Sequence, residues 1–146
     1  MRPTMHETTD MKALHALAEE IRGACRRLRD LSASFPGDRL PEDAALASFR
    51  EFRRRLFLRL RDLLDRQAEV IGGLGDIPDG CLAPVLSAEM AALREVLDAE
   101  AVLRSRMREM GEALRSEMGR LRRGRRGLNG YRRAPSPAAR FFEDAV

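Results

Sequence analysis

Arg120, Arg122, Arg123, Arg125, Arg126, Arg132 and Arg133 form the densest group of charged side chains in this chain. Guanidinium groups stay protonated and present forked donors that suit carboxylates and phosphates, so they bind rather than transfer protons. Tyr131, the sole tyrosine, stands among them. Other groups able to do chemistry are scattered. His6 and His15 have neither a cysteine partner nor an HExxH context, so they read as solvated helix residues. Gly72-Gly73-Leu74-Gly75 has the composition of a phosphate loop. It follows a helical pattern rather than a strand, however, and no GK[ST] comes after it, so it reads as an interhelical turn. Carboxylates often lie four residues from an arginine, as Glu51 does from Arg55, which is the spacing of helix-supporting ion pairs. Catalytic carboxylate pairs need a pocket to tune them, and the pattern offers none. No catalytic residue, metal ligand or cofactor is expected, and the chain does not read as an enzyme.

Composition points toward binding as well. A length of 146 residues suggests one domain. Aromatic residues make up 5% and charged residues 34%, with no tryptophan, which suits elongated helices better than a globular core. The net charge of +4 is uneven. Eight arginines against Glu143 and Asp144 give 119–146 a net of +6, so 1–118 carries −2. Cys25 and Cys81 lack CxxC spacing, which fits a reduced, cytoplasmic protein. No apolar run approaches the ~18 residues of a membrane span, so direct membrane insertion is not expected. The opening MRPTMHETTD lacks the apolar stretch of a secretory signal.

These groups must be positioned by helices. Thr4-Met5-His6-Glu7 fits a capping box. Leu14, Leu17, Ile21, Ala24, Leu28, Leu31 and Phe35 then alternate by three and four, a coiled-coil seam that Pro36 and Gly37 end. A second helix opens at Pro41-Glu42-Asp43 and carries Leu46, Phe49, Phe52, Leu56, Leu60, Leu63, Gln67 and Val70. The short 36–40 connection makes the first two helices antiparallel neighbours. A third helix starts near Leu82 to Pro84, with Leu86, Met90, Leu93, Leu97, Glu100, Leu103, Met107, Met110, Leu114, Met118 and Leu121 on its seam. The predicted fold is all-α: an elongated antiparallel hairpin or three-helix coiled-coil bundle over 1–123, with helices at about 5–35, 41–71 and 83–123. The third helix, spanning roughly 60 Å against 45 Å for the others, is expected to overhang its partners. Ile21, Leu28, Leu56, Leu63, Leu93 and Leu97 are the predicted core. Gly124, Gly127 and Gly130, followed by Ala134-Pro135-Ser136-Pro137, predict that the helix frays after 123. Residues 124–146 then form a flexible basic tail ending near Phe141-Phe142.

The third helix carries the candidate binding residues. Methionine fills cores, but it also adapts to varied apolar partners. Met107, Met110, Leu114, Met118 and Leu121 are therefore the candidate strip for a partner's amphipathic helix. A second copy would cover the same strip, so a homodimer is also possible. Glu100 on the seam has two readings: register drift leaves it at an edge, or it is a polar spot that sets register or meets a ligand. The arginine cluster suits protein docking and the helix dipole. Nucleic acid is disfavoured, because no DNA-binding signature accompanies the cluster and Glu109, Glu112 and Glu117 would repel phosphates. An acidic membrane surface is a third reading.

The string Arg123-Gly124-Arg125-Arg126-Gly127-Leu128-Asn129-Gly130-Tyr131, with the ending Arg140-Phe141-Phe142-Glu143-Asp144 after a helical hairpin and longer helix, resembles the flagellar type III export chaperones of the FlgN and FliT kind. The resemblance implies small cytosolic helical monomers or dimers. They would bind C-terminal helical segments of flagellar axial proteins, such as hook–filament junction or cap proteins, and deliver them to the export gate and its ATPase complex. It also implies that Tyr131 contributes to gate docking, with Arg125, Arg126, Leu128, Arg132 and Arg133 around it. Gly127 and Gly130 stand where family members often carry alanine or lysine, which implies weak helicity there. Two other classes fit the residues: a basic-tailed nucleic-acid-binding or regulatory protein, and a structural coiled-coil adaptor.

Overall fold

The computed structural model describes residues 5–75 and 79–133. Three helices hold nearly all of them: α1 Met5–Ala33, α2 Asp43–Gly73 and α3 Asp79–Arg133. No strand occurs among the described residues, so the chain is all-α and its third helix is the longest. The predicted punctuation falls near the observed ends. The Ser34 N–H closes α1 onto the Asp30 carbonyl at 3.0 Å, just before Pro36 and Gly37. α2 begins after Glu42, whose carbonyl accepts from the Leu46 N–H at 2.8 Å, and Asp43 faces the positive end of the dipole. α3 starts at Asp79, about a turn earlier than predicted, and holds Pro84 within it. There the missing N–H forfeits one bond, to the Gly80 carbonyl. Thr4 of the predicted capping box lies outside the described residues.

The chain divides into two compact units, Met1–Arg106 and Met107–Val146. In the first unit the helices run up, down and up. Arg59 on α2 meets Glu20 on α1 at 2.6 Å, while Phe49 packs on Phe35 with centroids 5.2 Å apart, so α1 and α2 are antiparallel. Arg29 reaches Glu95 at 2.7 Å and Arg106 donates to the Phe35 carbonyl at 3.3 Å, which makes α3 parallel to α1. The core is built from Leu14, Ala18, Ile21, Cys25 and Leu28 of α1, Leu60 and Leu63 of α2, and Val96 and Leu103 of α3. Each buried leucine or isoleucine contributes about 1.5–3 kcal/mol relative to an exposed one.

The seam of α3 differs from the predicted one. Ile21, Leu28 and Leu63 are fully buried, and Leu56 and Leu93 pack partly covered against them. Leu97, however, is 67% exposed, and Met90 is exposed too. The inward row is Glu89, Val96 and Leu103, with Leu93 and Glu100 between. A one-position change turns a helix face by about 100°. Counting apolar residues favoured Met90 and Leu97, but the polar partners on α1 and α2 fix the rotation. Gln67 holds Glu89, and Arg53 with Ser32 holds Glu100. Glu100 is thus buried at the seam rather than drifting to an edge.

The helix also continues past 123. It runs through Gly124, Gly127 and Gly130 to Arg133, and no described glycine takes a positive φ. A helical glycine costs about 1 kcal/mol relative to alanine, which weakens a helix without ending it. The arginines and leucines between the glycines are good helix formers, and the next true break in the sequence is Pro135. Arg140, Phe141 and Phe142 lie outside the described residues.

Candidate binding surface

The described residues of the second unit present their apolar side chains to solvent. Between Met107 and Arg132 no residue is buried, and only Met110, Gly111 and Gly119 are half-covered. Met107, Leu114, Leu121 and Leu128 recur every seven residues, with Met110 and Tyr131 three residues after the first and last. Helical geometry lines up such positions on one face. Met118 lies at its edge, beside Leu114 and Leu121. Leu114 and Met118 are each 48% exposed, Leu121 67% and Tyr131 87%. Single exposed leucines are ordinary, but a heptad row of them is half of a helix–helix interface.

The structure joins two groups that the sequence had kept apart. The strip Met107, Met110, Leu114, Met118 and Leu121 and the docking segment Leu128 and Tyr131 occupy one helix, not a helix and an extended tail. Arg125 and Arg132 each follow a seam position and flank the row, as Arg120 does on its other side. Arg126 falls five positions after Leu121, on the opposite side of the helix, and Arg133 is the last helical residue.

Glu117, Arg120, Leu121, Gly124, Arg125 and Leu128 line a shallow, open notch of about 320 Å³. A Cβ built on Gly124 meets nothing within 4 Å. Two leucines and two arginines share its lining with Glu117 and Gly124.

The bundle holds a different kind of polar site. The Ser32 hydroxyl donates to Glu100 Oε1 at 2.9 Å, and Arg53 adds a two-point ion pair, with its Nε at 3.2 Å from the same oxygen. The Arg53 guanidinium also lies 5.0 Å over the Phe57 ring. Near the start of α3, Gln67 donates to Glu89. Burial pushes the Glu89 carboxyl above its ordinary pKa, against the opposing pull of Gln67 and Arg22. Burial, then the charges of Glu89 and Glu95, push the Cys25 thiol up as well, which keeps it in the unreactive protonated form. Sequence reasoning missed Glu89, Arg53 and Ser32. The available signal was Gln67, a polar residue in an otherwise apolar seam, which implied a polar partner across it.

Among the described residues no three histidine, cysteine or acidic side chains come together as a metal site. No described helix is long and apolar enough to cross a membrane. The fold and surface define an all-α protein that displays an arginine-flanked apolar row. No protein family, curated protein or solved structure matches the chain.

Proposed function

We propose that this protein is a cytoplasmic flagellar type III export chaperone that shields a helical segment of an axial protein and hands it to the export gate. The observation that carries this reading is the apolar strip of Met107, Leu114, Met118 and Leu121, exposed to solvent, with Met110 half-covered among them. Burying such a row against another apolar helix face is favourable, which makes it a natural seat for a partner helix. The resemblance of 123–131 to the ending of these chaperones supplies the substrate class and the destination. The mechanism is passive: the row covers the substrate's own assembly surface, and Tyr131 with Leu128, Arg125, Arg126, Arg132 and Arg133 engages the gate. Tyrosine offers a large ring, a hydroxyl and few rotors to freeze, which suits an interface anchor. The arginines speed encounter with an acidic surface more than they set final affinity.

The test is calorimetric titration with purified hook–filament junction and cap proteins from the same bacterium. The expected result is binding that Met110→Asp with Leu114→Asp abolishes while helical content survives. Absence of binding to every axial protein, or binding indifferent to these substitutions, overturns the reading.

A further inference from the structure

We infer that the face of α3 from Glu117 to Arg132 takes an amphipathic helix with acidic flanks and a bulky apolar side chain opposite Gly124. The inference rests on the reading of this row as a substrate seat and specifies the chemistry of what fills it. Three observations carry it.

The first is the shape of the notch. In coiled-coil packing, each knob enters a hole made by four residues of the facing helix. Glu117, Arg120, Leu121 and Gly124 have the spacing of one such hole, and Leu121, Gly124, Arg125 and Leu128 that of the next. Together these are the six residues that line the notch. The seat therefore extends past Leu121 to Leu128, into the segment with the chaperone-like motif, so substrate and gate contend for Arg125 and Leu128 and docking at the gate displaces the substrate helix.

The second is the size of the shared corner. Gly124 belongs to both holes, at a position where coiled coils ordinarily place leucine. The missing side chain at this position leaves room for a larger knob than a leucine–leucine layer accepts. Glycine in a helix costs about 1 kcal/mol relative to alanine, and an aromatic ring from the partner is a use for the space it leaves.

The third is charge. Arg120, Arg125 and Arg132 border the row, and no acid occurs between Glu117 and Glu143. Glutamates flanking the partner's apolar face satisfy these arginines as interhelical pairs. A second copy does not. Pairing the arginine-rich half of one helix against 107–118 of another sets it against Glu109, Glu112 and Glu117, which Arg108 and Arg115 largely offset. Nucleic acid would use the arginines but gain nothing from Leu114, Leu121 and Leu128 between them.

The experiment titrates the full-length protein with fluorescent three-heptad peptides that have leucine at core positions and one central phenylalanine. One peptide carries glutamate flanks, a second lysine flanks, and a third has glutamate flanks with alanine replacing the phenylalanine. The glutamate peptide is expected to bind about tenfold more tightly than the lysine peptide at low salt, with the gap closing as salt rises. Gly124→Ala should weaken the phenylalanine peptide severalfold and leave the alanine peptide unchanged, and Leu121→Asp should abolish both. Equal binding of the two charge variants, with Leu121→Asp still blocking both, overturns this inference and leaves the chaperone reading standing. Failure of all peptides together with all axial proteins overturns both. Dimerisation through Leu121, or duplex DNA that displaces the glutamate peptide and is indifferent to Leu121→Asp, also overturns it.

Discussion

The Ser32 hydroxyl reaches Glu100 Oε1 at 2.9 Å, joining α1 to α3 where Arg53 of α2 joins the same carboxylate. One buried acid thus gathers all three helices. Removing its charge partner by Arg53→Met leaves the carboxylate buried with only a hydroxyl. The expected loss is about 2 kcal/mol, below the full cost of breaking a buried pair because Arg53 is partly exposed. Arg53→Met combined with Glu100→Leu should recover most of it, since well-packed apolar replacements of ion pairs are often neutral. Urea unfolding of the two variants decides. A double variant as unstable as the single one would show that the triad is not the unit that matters.

Glu89 sets a pH dependence of opposite sign to the usual carboxylate. Its folded pKa lies above the model-compound value of 4.5 because burial disfavours the charged form. The folded state therefore holds this proton more tightly than the unfolded state. The contribution is fully present below the unfolded pKa and is lost as pH rises through the folded one. Glu89→Gln keeps an acceptor for Gln67 without the buried charge. It should raise the unfolding midpoint at neutral pH and have little effect in acid, where Glu89 is already neutral. An equal shift at both pH values would remove Glu89 as the cause.

Leu103→Ala should cost about 2–5 kcal/mol, whereas Leu97→Ala should stay within about 0.5 kcal/mol. Leu103 is 2% exposed, Leu97 mostly open. The contrast marks what the sequence could and could not reveal. Helix number, order and the α1 seam follow from local spacing, which needs no knowledge of partners. The rotation of α3 does not, because Met90/Leu97 and Glu89/Val96 are adjacent rows of one helix. Choosing between them requires Gln67, Arg53 and Ser32, residues far away in sequence. The exposed apolar residues of 107–121 were legible because the helical pattern of α3 runs on well beyond the lengths of α1 and α2. Continuity of the helix through three glycines was not, because propensity at single residues is weaker than the summed preference of a long run.

Tyr131 provides its own reporter. The chain has one tyrosine and no tryptophan, so intrinsic fluorescence comes from this side chain alone. Its 87% exposure predicts collisional quenching by acrylamide close to that of a free tyrosine derivative. Tyr131→Ala should leave the unfolding midpoint unchanged, as for other surface substitutions. Addition of a gate component that docks here should protect the fluorophore. A Tyr131 already shielded in the free protein would contradict its place on the surface and the docking role that depends on it.

The last turns of α3 are held by weak local preference with no burial behind them. Gly127 and Gly130 lie off the apolar row, and a Cβ at either meets nothing within 4 Å. Alanine is therefore sterically free at both, and each replacement should favour the helix by about 1 kcal/mol, partly by narrowing the unfolded ensemble. Gly127→Ala with Gly130→Ala should slow amide exchange across 119–133 and raise helical content slightly. Exchange at Leu28, Leu63 and Val96, buried in the other unit, should not move. If the segment must loosen to pass between partners, the same variant should hold its peptide or axial protein as well as before yet secrete it more slowly. Unchanged exchange in 119–133 would mean that something other than glycine limits this helix, and unchanged secretion would mean that its loosening is not part of delivery.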